Sequence, residues 1–380
     1  MPTKKKYPSL SCALIGCGRV SVKHLLAILN KSSGLTLTAI VDLNPKAPDV
    51  LFKSAGLSPG AVKNLLKSVR LYTDFEEMLS KEKPSIVSIT VPSGLHCKIA
   101  KACLLGGAHI LLEKPMTMCS SEAKELYELS ESTGKKIAMG HIYRYFPVVN
   151  NLKKDIEAGV FGKLSHGSVI VRWGHDQSYY DQAAWRGTWL SDGGALMNQT
   201  VHAIDLLCWL MNGTAVSASA MLAHRFHNME AEDVALGMLT LDNQALCNIE
   251  GTTNTSIHDH EASFFINGSN GTLRVGLRRG IPFFDIRDAD GHRKNFHYFC
   301  KDLKEKGLPG MLLLMNPHAG IYKDLVEAIH ENRNPLADAK SGYTSVDMVL
   351  ALYQSAKLKR EVPLPLNSDF SCLDMVGHFS

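Results

Sequence analysis

One stretch near the N-terminus constrains this chain more than any other. Residues 10–42 hold an apolar run, LSCALI, a turn with two glycines, GCGRVS, an amphipathic segment, KHLLAILN, and a second apolar run, LTLTAIV, that stops on Asp42. This reads as strand, glycine turn, helix and returning strand, the pattern of a βαβ unit. Such a unit starts a parallel sheet, which must be covered on both faces. The next runs keep the rhythm: SIVSITVPS (85–93), AHILLEKP (108–115) and KKIAMGH (135–141) alternate with the helical segments HCKIAKACLLGG and SSEAKELYELSESTG. The second of these segments opens on a Ser-Ser-Glu capping signal and stops at Gly134.

Ligands of parallel sheets sit beyond the carboxyl ends of the strands. Asp42, Ser93, Glu113, Lys114 and His141 all occupy such ends. Gly16 permits the tight turn, and Gly18 lets a pyrophosphate approach the N–H groups at the start of the helix. Ser21 stands where the full G-x-G-x-x-G/A fingerprint has its last small residue. Asp42 can accept two hydrogen bonds from an adenosine ribose and would repel a 2′-phosphate, and no arginine follows it closely. The expected cofactor is therefore NAD rather than NADP; a glycine turn that binds no nucleotide is the plainer alternative.

A chain of 380 residues exceeds one small core, and two domains are expected, with the change near 140–150: residues 1–142 form the nucleotide-binding (Rossmann) domain and 143–380 a second α+β domain. The formal net charge is only +4, and the one basic run, Lys4–Lys6, reads as a solvated tail. No basic stripe interleaved with aromatics points to nucleic acid. No apolar run reaches the length of a bilayer span, and no signal-peptide pattern opens the chain. Nine scattered cysteines without a C-x-x-C fit reduced thiols in a cytoplasm. His258 and His260 bracket Asp259 with no third ligand nearby, so no metal site is expected.

In the second half KLSHGSVIVRW, VALGMLTL and ALCNIEGTTN alternate like half-buried strands of an open, mainly antiparallel sheet. Two Asn-Gly pairs in FFINGSNGTLRVG signal tight turns. Between the first strand and the others, GGALMNQTVHAIDLLCWLMNG predicts a Gly-Gly entry into a long helix that carries Asn198 and His202 four residues apart on one face. On those two residues alone, a satisfied core histidine is the simpler reading.

Together GCGRVSVKH, PSGLH (92–96), EKP (113–115) and GGALMNQTVH (193–202) resemble the motifs of the Gfo/Idh/MocA oxidoreductases, in order and over nearly the whole chain. The run QSYYDQAAWRGTW followed by DGGALMNQ is similar to the sugar-nucleotide 3-dehydrogenases of that family, which act on UDP-N-acetylglucosamine or its uronate. The resemblance implies an NAD-dependent dehydrogenase that makes a 3-keto UDP-sugar for a PLP aminotransferase in lipid A or O-antigen synthesis. It also implies a dimer or tetramer. Lys114 would polarise the reacting oxygen, and either His202 or Lys114 would act as base beside Asn198. Gly16, Gly18, Arg19, Val20, Asp42, Pro92, Ser93, His96, Glu113, Lys114, Arg144, Trp185 and Arg186 would face the cofactor. Arg172, Tyr180, Asn198, Gln199 and His202 would join Lys114 at the substrate. Two departures stand out. Asn198 replaces the Asp that many members carry four residues before the histidine. HIYR (141–144) replaces the KQNR-like run of the uronate enzymes, which favours the neutral sugar. A dehydrogenase of a free polyol, cyclitol or sugar and a non-catalytic dinucleotide sensor are the alternatives.

Overall fold

The computed structural model describes residues 7–311 and 316–379; the Lys4–Lys6 run lies outside them. The chain divides into two compact units. Unit 1 takes in the residues up to Met116, then Lys124–Ile142, and later the stretch ending at Gly342 that carries the helix His318–Glu331. Unit 2 holds Thr117–Ala123, the middle of the chain from Tyr143, and Tyr343–Ser380.

Unit 1 is built on a six-stranded parallel sheet. Its strands are β1 (Leu10–Ile15), β2 (Leu35–Val41), β3 (Arg70–Tyr72), β4 (Ile86–Ile89), β5 (His109–Leu112) and β6 (Ile137–Met139), in the order β3-β2-β1-β4-β5-β6. The apolar runs are continuous because helices cover both faces; all four residues of β4 are buried. The strand order reverses between β1 and β4, and there the backbones crowd: a Cβ on Gly16 would lie 2.8 Å from the Thr90 carbonyl oxygen. Only the short, largely exposed β3 had no counterpart in the sequence pattern.

Assigning all of 143–380 to the second domain needs correction. The helix His318–Glu331 buries His318, Ile321, Tyr322 and Leu325 in unit 1, where Tyr322 bonds to His24 and Ser88. Its apolar stripe completes a layer over the parallel sheet that the N-terminal segment does not supply by itself.

Unit 2 carries an eight-stranded sheet: β7 (Leu164–Arg172), β8 (Ala215–Ala223), β9 (Val234–Leu241), β10 (Leu246–Thr252), β11 (Glu261–Gly268), β12 (Gly271–Arg278), β13 (Ile281–Asp288) and β14 (Val362–Pro363). The order is β13-β12-β11-β7-β10-β9-β8-β14, and only the β7–β10 pair is parallel. The two Asn-Gly signals resolve into one hairpin, with Ser269 and Asn270 between Gly268 and Gly271. One face is packed by the helices Val201–Leu210 and Ala339–Leu358. Gly167 and Gly237 give them room, since a Cβ would meet Leu207 and Leu352 at 2.8 Å. On the other face Met221, Leu236, Met238 and Leu246 stand exposed.

Candidate active site

In unit 1 the expected cofactor residues gather at the carboxyl edge of the sheet. Gly16 has φ +93°, a left-handed value that favours glycine, and its N–H donates to Val41 O. Gly18 and Arg19 are exposed at the start of the helix Ser21–Ile28, and Val20 is half-buried. Ser21 is fully buried and donates its hydroxyl to Gly18 O, which fixes the loop. The Asp42 carboxylate accepts N–H bonds from Cys17 (2.8 Å) and Asn44 (2.9 Å), so it is oriented before any ligand arrives, and each oxygen keeps a further lone pair. Burial and the Asp42 charge push the Cys17 thiol up to about 12, leaving it an unreactive wall. A glycine forced by close approach, exposed N–H groups and an oriented carboxylate together fit a dinucleotide.

Beside this cradle His96 is almost completely buried. Its Nδ1 lies 2.7 Å from Pro115 O and its Nε2 3.0 Å from Val91 O. The imidazole thus ties the loop after β4, with Pro92 and Ser93, to the turn that presents Lys114. Lys114 comes two residues after the end of β5 and is half-buried.

Glu113, expected at the cofactor, commits Oε1 to two imidazoles: His24 Nε2 at 2.9 Å and His318 Nε2 at 3.3 Å. Burial alone would raise its pKa, but these two bonds hold it well below the usual carboxylate range. Burial in turn pulls His24 down, so His24 is the neutral donor, and its Nδ1 meets Tyr322 OH (2.8 Å) and Ser88 Oγ (3.1 Å). Two imidazole nitrogens and a carboxylate oxygen are also a metal-ligand set. The separations here are those of N–H···O bonds. Gly140 makes the cluster possible, because a Cβ there would lie 2.9 Å from Glu113 Oε2.

In unit 2 the expected long helix is two pieces. Ala195–Thr200 forms a π-helix and Val201–Leu210 continues as an α-helix. Single π turns inside helices are rare and concentrate at functional sites. Asn198 Nδ2 donates to Asp192 Oδ1, and Asp192 Oδ2 accepts from Gly187 N at 2.8 Å. Gln199 Nε2 lies 3.2 Å from His175 Nε2, and the His175 ring stacks on Tyr179 at 3.7 Å. Tyr179, Tyr180, Asp192, Asn198, Gln199 and Thr253 line one narrow crevice. His202 is half-buried with its ring centroid 5.4 Å from that of Tyr143, whose phenol burial pushes up to about 12.

The crevice therefore brings together Tyr180, Asn198 and Gln199 of the expected set. The Tyr180 hydroxyl is already given to Thr253 Oγ1 at 3.0 Å. The arginines depart from expectation. Arg144, expected at the cofactor, is buried and spends Nε and Nη2 on Asp205 at 2.8 and 2.6 Å, with its guanidinium over Trp209. Arg172, expected at the substrate, pairs with Glu250 (2.6 and 2.9 Å) and Glu261 (3.5 Å) of its own sheet. Both sit where a cation has carboxylates to neutralise, and a buried arginine needs one. Arg186 stacks 4.1 Å from the Tyr179 ring centroid and 5.6 Å from that of Trp185, and donates to Tyr179 O. Asp192, His175 and Glu232 were missed. His175 lies two residues before QSYYDQAAWRGTW and Asp192 opens DGGALMNQ, so both were open to reading; Glu232 is joined to that motif only through space.

Comparison with known proteins follows the same division. Residues 10–141 match the model of the oxidoreductase family with an NAD-binding Rossmann fold, and residues 149–274 match that of the GFO/IDH/MocA C-terminal domain. The WlbA dehydrogenase of Bordetella pertussis, solved with NADH and UDP-GlcNAcA, is 28% identical with a TM-score of 0.82, over 95% of this chain and 99% of that one. Among curated relatives, inositol 2-dehydrogenase of Corynebacterium glutamicum is 26% identical over 72% of this chain and 75% of its own. D-glucoside 3-dehydrogenase of Escherichia coli is 22% identical over 93% and 97%.

Proposed function

This chain belongs to the Gfo/Idh/MocA oxidoreductases, NAD-dependent dehydrogenases of CH–OH groups, and on that footing we propose that it oxidises the 3-hydroxyl of a UDP-N-acetylhexosamine to the 3-keto sugar nucleotide. The observation that carries this is the likeness to the WlbA dehydrogenase, a protein bound to NADH and UDP-GlcNAcA, along almost the full length of both chains.

In this proposal the turn Gly16–Val20 and Asp42 hold NAD, with Pro92, Ser93 and His96 as a wall. When bound, its nicotinamide accepts a hydride from the carbinol carbon. Lys114 donates to the hydroxyl oxygen and stabilises the negative charge that grows there. His202 or Lys114 takes the proton, and Asn198, oriented by Asp192, aligns the sugar. Trp185 and Arg186 reach for the cofactor or the sugar diphosphate, whose geometry suits a guanidinium fork. The neutral sugar is preferred to the uronate because Arg144 and Arg172 already neutralise carboxylates of this chain. The 3-keto product is a substrate for a PLP aminotransferase. The working form is a homo-oligomer that covers the exposed face of β8, β9 and β10.

The test is to mix protein and NAD⁺ with UDP-N-acetylglucosamine or its uronate and follow reduced nicotinamide, with an aminotransferase present to draw the equilibrium and 2-oxoglutarate in parallel. Turnover of the neutral sugar is the expected result; turnover of the uronate alone would move carboxylate recognition to Arg186. Activity on inositol with neither UDP-sugar turned over would establish the second reading, a polyol dehydrogenase, which the inositol 2-dehydrogenase likeness supports.

A further inference from the structure

A π-helix wastes hydrogen-bonding geometry, so a chain that keeps one needs something outside it to hold the first turn. The turn that begins at Ala195 is held from two distant places. Ala195 N donates to the backbone oxygen of Glu232 at 3.0 Å, and Leu196 N donates to Glu232 Oε1 at 2.8 Å. The Tyr353 hydroxyl accepts from Gly194 N and Met197 N, each at 3.3 Å, and donates to the same Glu232 Oε1 at 2.9 Å. Four consecutive N–H groups are thus satisfied by one glutamate and one tyrosine, both fully buried. Glycine at 194 is required by this arrangement, since a Cβ would fall 2.0 Å from Glu232 Oε2. Among the described residues that Oε2 atom has no hydrogen-bond partner, which a neutral carboxyl tolerates better than a carboxylate does. The groups facing the carboxyl are Tyr353, Asp233 and Cys372. Asp233 spends its own charge on the N–H groups of Arg225, Phe226 and His227.

We infer that Glu232 and Tyr353 are positioning residues: together they cap the π-helix and so set the side chains of Asn198, Gln199 and His202. Tyr353 lies on the C-terminal helix Ala339–Leu358 and Glu232 just before β9, so the geometry of this helix is dictated by elements with no part in its own motif. The consequence for catalysis rests on the proposed role of Asn198 and His202; the capping itself does not.

Hydrogen exchange of peptides covering 194–202, in the full-length protein and in the variants Glu232→Ala, Glu232→Gln and Tyr353→Phe, separates the two. Loss of the cap should speed exchange there by roughly 10-fold or more in Glu232→Ala and by less in Tyr353→Phe. Glu232→Gln, which keeps the acceptor, should hold exchange near the native rate at neutral pH. With a substrate that turns over, Glu232→Ala should lower kcat while the KM for NAD stays put, and Glu232→Gln should restore kcat. Unchanged protection in Glu232→Ala, or acceleration spread evenly over the sheet, would overturn the inference. If no sugar is turned over, the exchange result still decides the cap. Should Glu232→Ala fail to fold, Tyr353→Phe carries the same test.

Discussion

At Asn198 a neutral amide stands where the family resemblance leads one to expect an Asp, yet the charge has not left the neighbourhood. It sits one hydrogen bond further on, at Asp192. Asp192→Asn should therefore lower kcat by about 10-fold by freeing the amide, whereas Asn198→Asp should also lose activity, because two carboxylates at that distance repel. Steady-state kinetics of the two variants decides this, and full activity in Asn198→Asp would refute it. Lys114→Met should cost more, about 10³-fold in kcat, with NADH binding, followed by dihydronicotinamide fluorescence, changed only a few-fold. The pH dependence of stability should show Glu232. Burial, aided by the Asp233 charge, pushes its pKa up to about 8 from 4.5, so the folded protein keeps a proton that the unfolded chain releases. Its stabilising effect is complete below about 4.5 and is lost as pH rises to about 8, on the order of a few kcal/mol across that window. Melting temperatures of the native protein should fall relative to Glu232→Gln between these limits and run parallel above them.

Elements differ in how openly they announce themselves. Five strands of the parallel sheet were legible because burial on both faces writes them as unbroken apolar runs, and β1 with its glycine turn carried the cofactor with it. The positions of Asp42, Lys114 and His96 followed from strand ends and motifs. The π-helix did not show, since ALMNQTVHAIDLL keeps an apolar pattern whether or not its first turn is widened. Nor did the partners of that helix, because Glu232 and Tyr353 come from 36 and 159 residues beyond Leu196 and Gly194. The arginines misled for a related reason: the carboxylates that claim Arg144 and Arg172 lie 61 and 78 residues away. A strand-edge prediction follows. Gly16→Ala would press a methyl group against Thr90 O at a backbone angle that L-residues avoid. It should cost about 1–3 kcal/mol of stability and abolish measurable NAD binding, to be read by calorimetry.

Seen entire, the molecule exposes Met221, Leu236, Met238 and Leu246 on neighbouring strands, with Met221 opposite Leu236 in the register. So much apolar surface on one sheet face calls for a cover, and the proposed homo-oligomer supplies it. Met238→Glu should shift the mass measured by light scattering towards a single chain while leaving the spectrum of a folded protein; an unchanged mass would place the contact elsewhere. The return of the helix His318–Glu331 to unit 1 has a consequence in time. Glu113 leaves the ribosome roughly 200 residues before His318, and at about 5–20 residues per second that is a wait of some tens of seconds at the slow end. Through that interval the newborn N-terminal sheet lacks one layer, and His24 must hold the Glu113 carboxylate without its second imidazole. The first half of this protein to be made is thus among the last to be finished, and a chain cut short before residue 318 should be a client for chaperones and proteases rather than a small working nucleotide-binding domain.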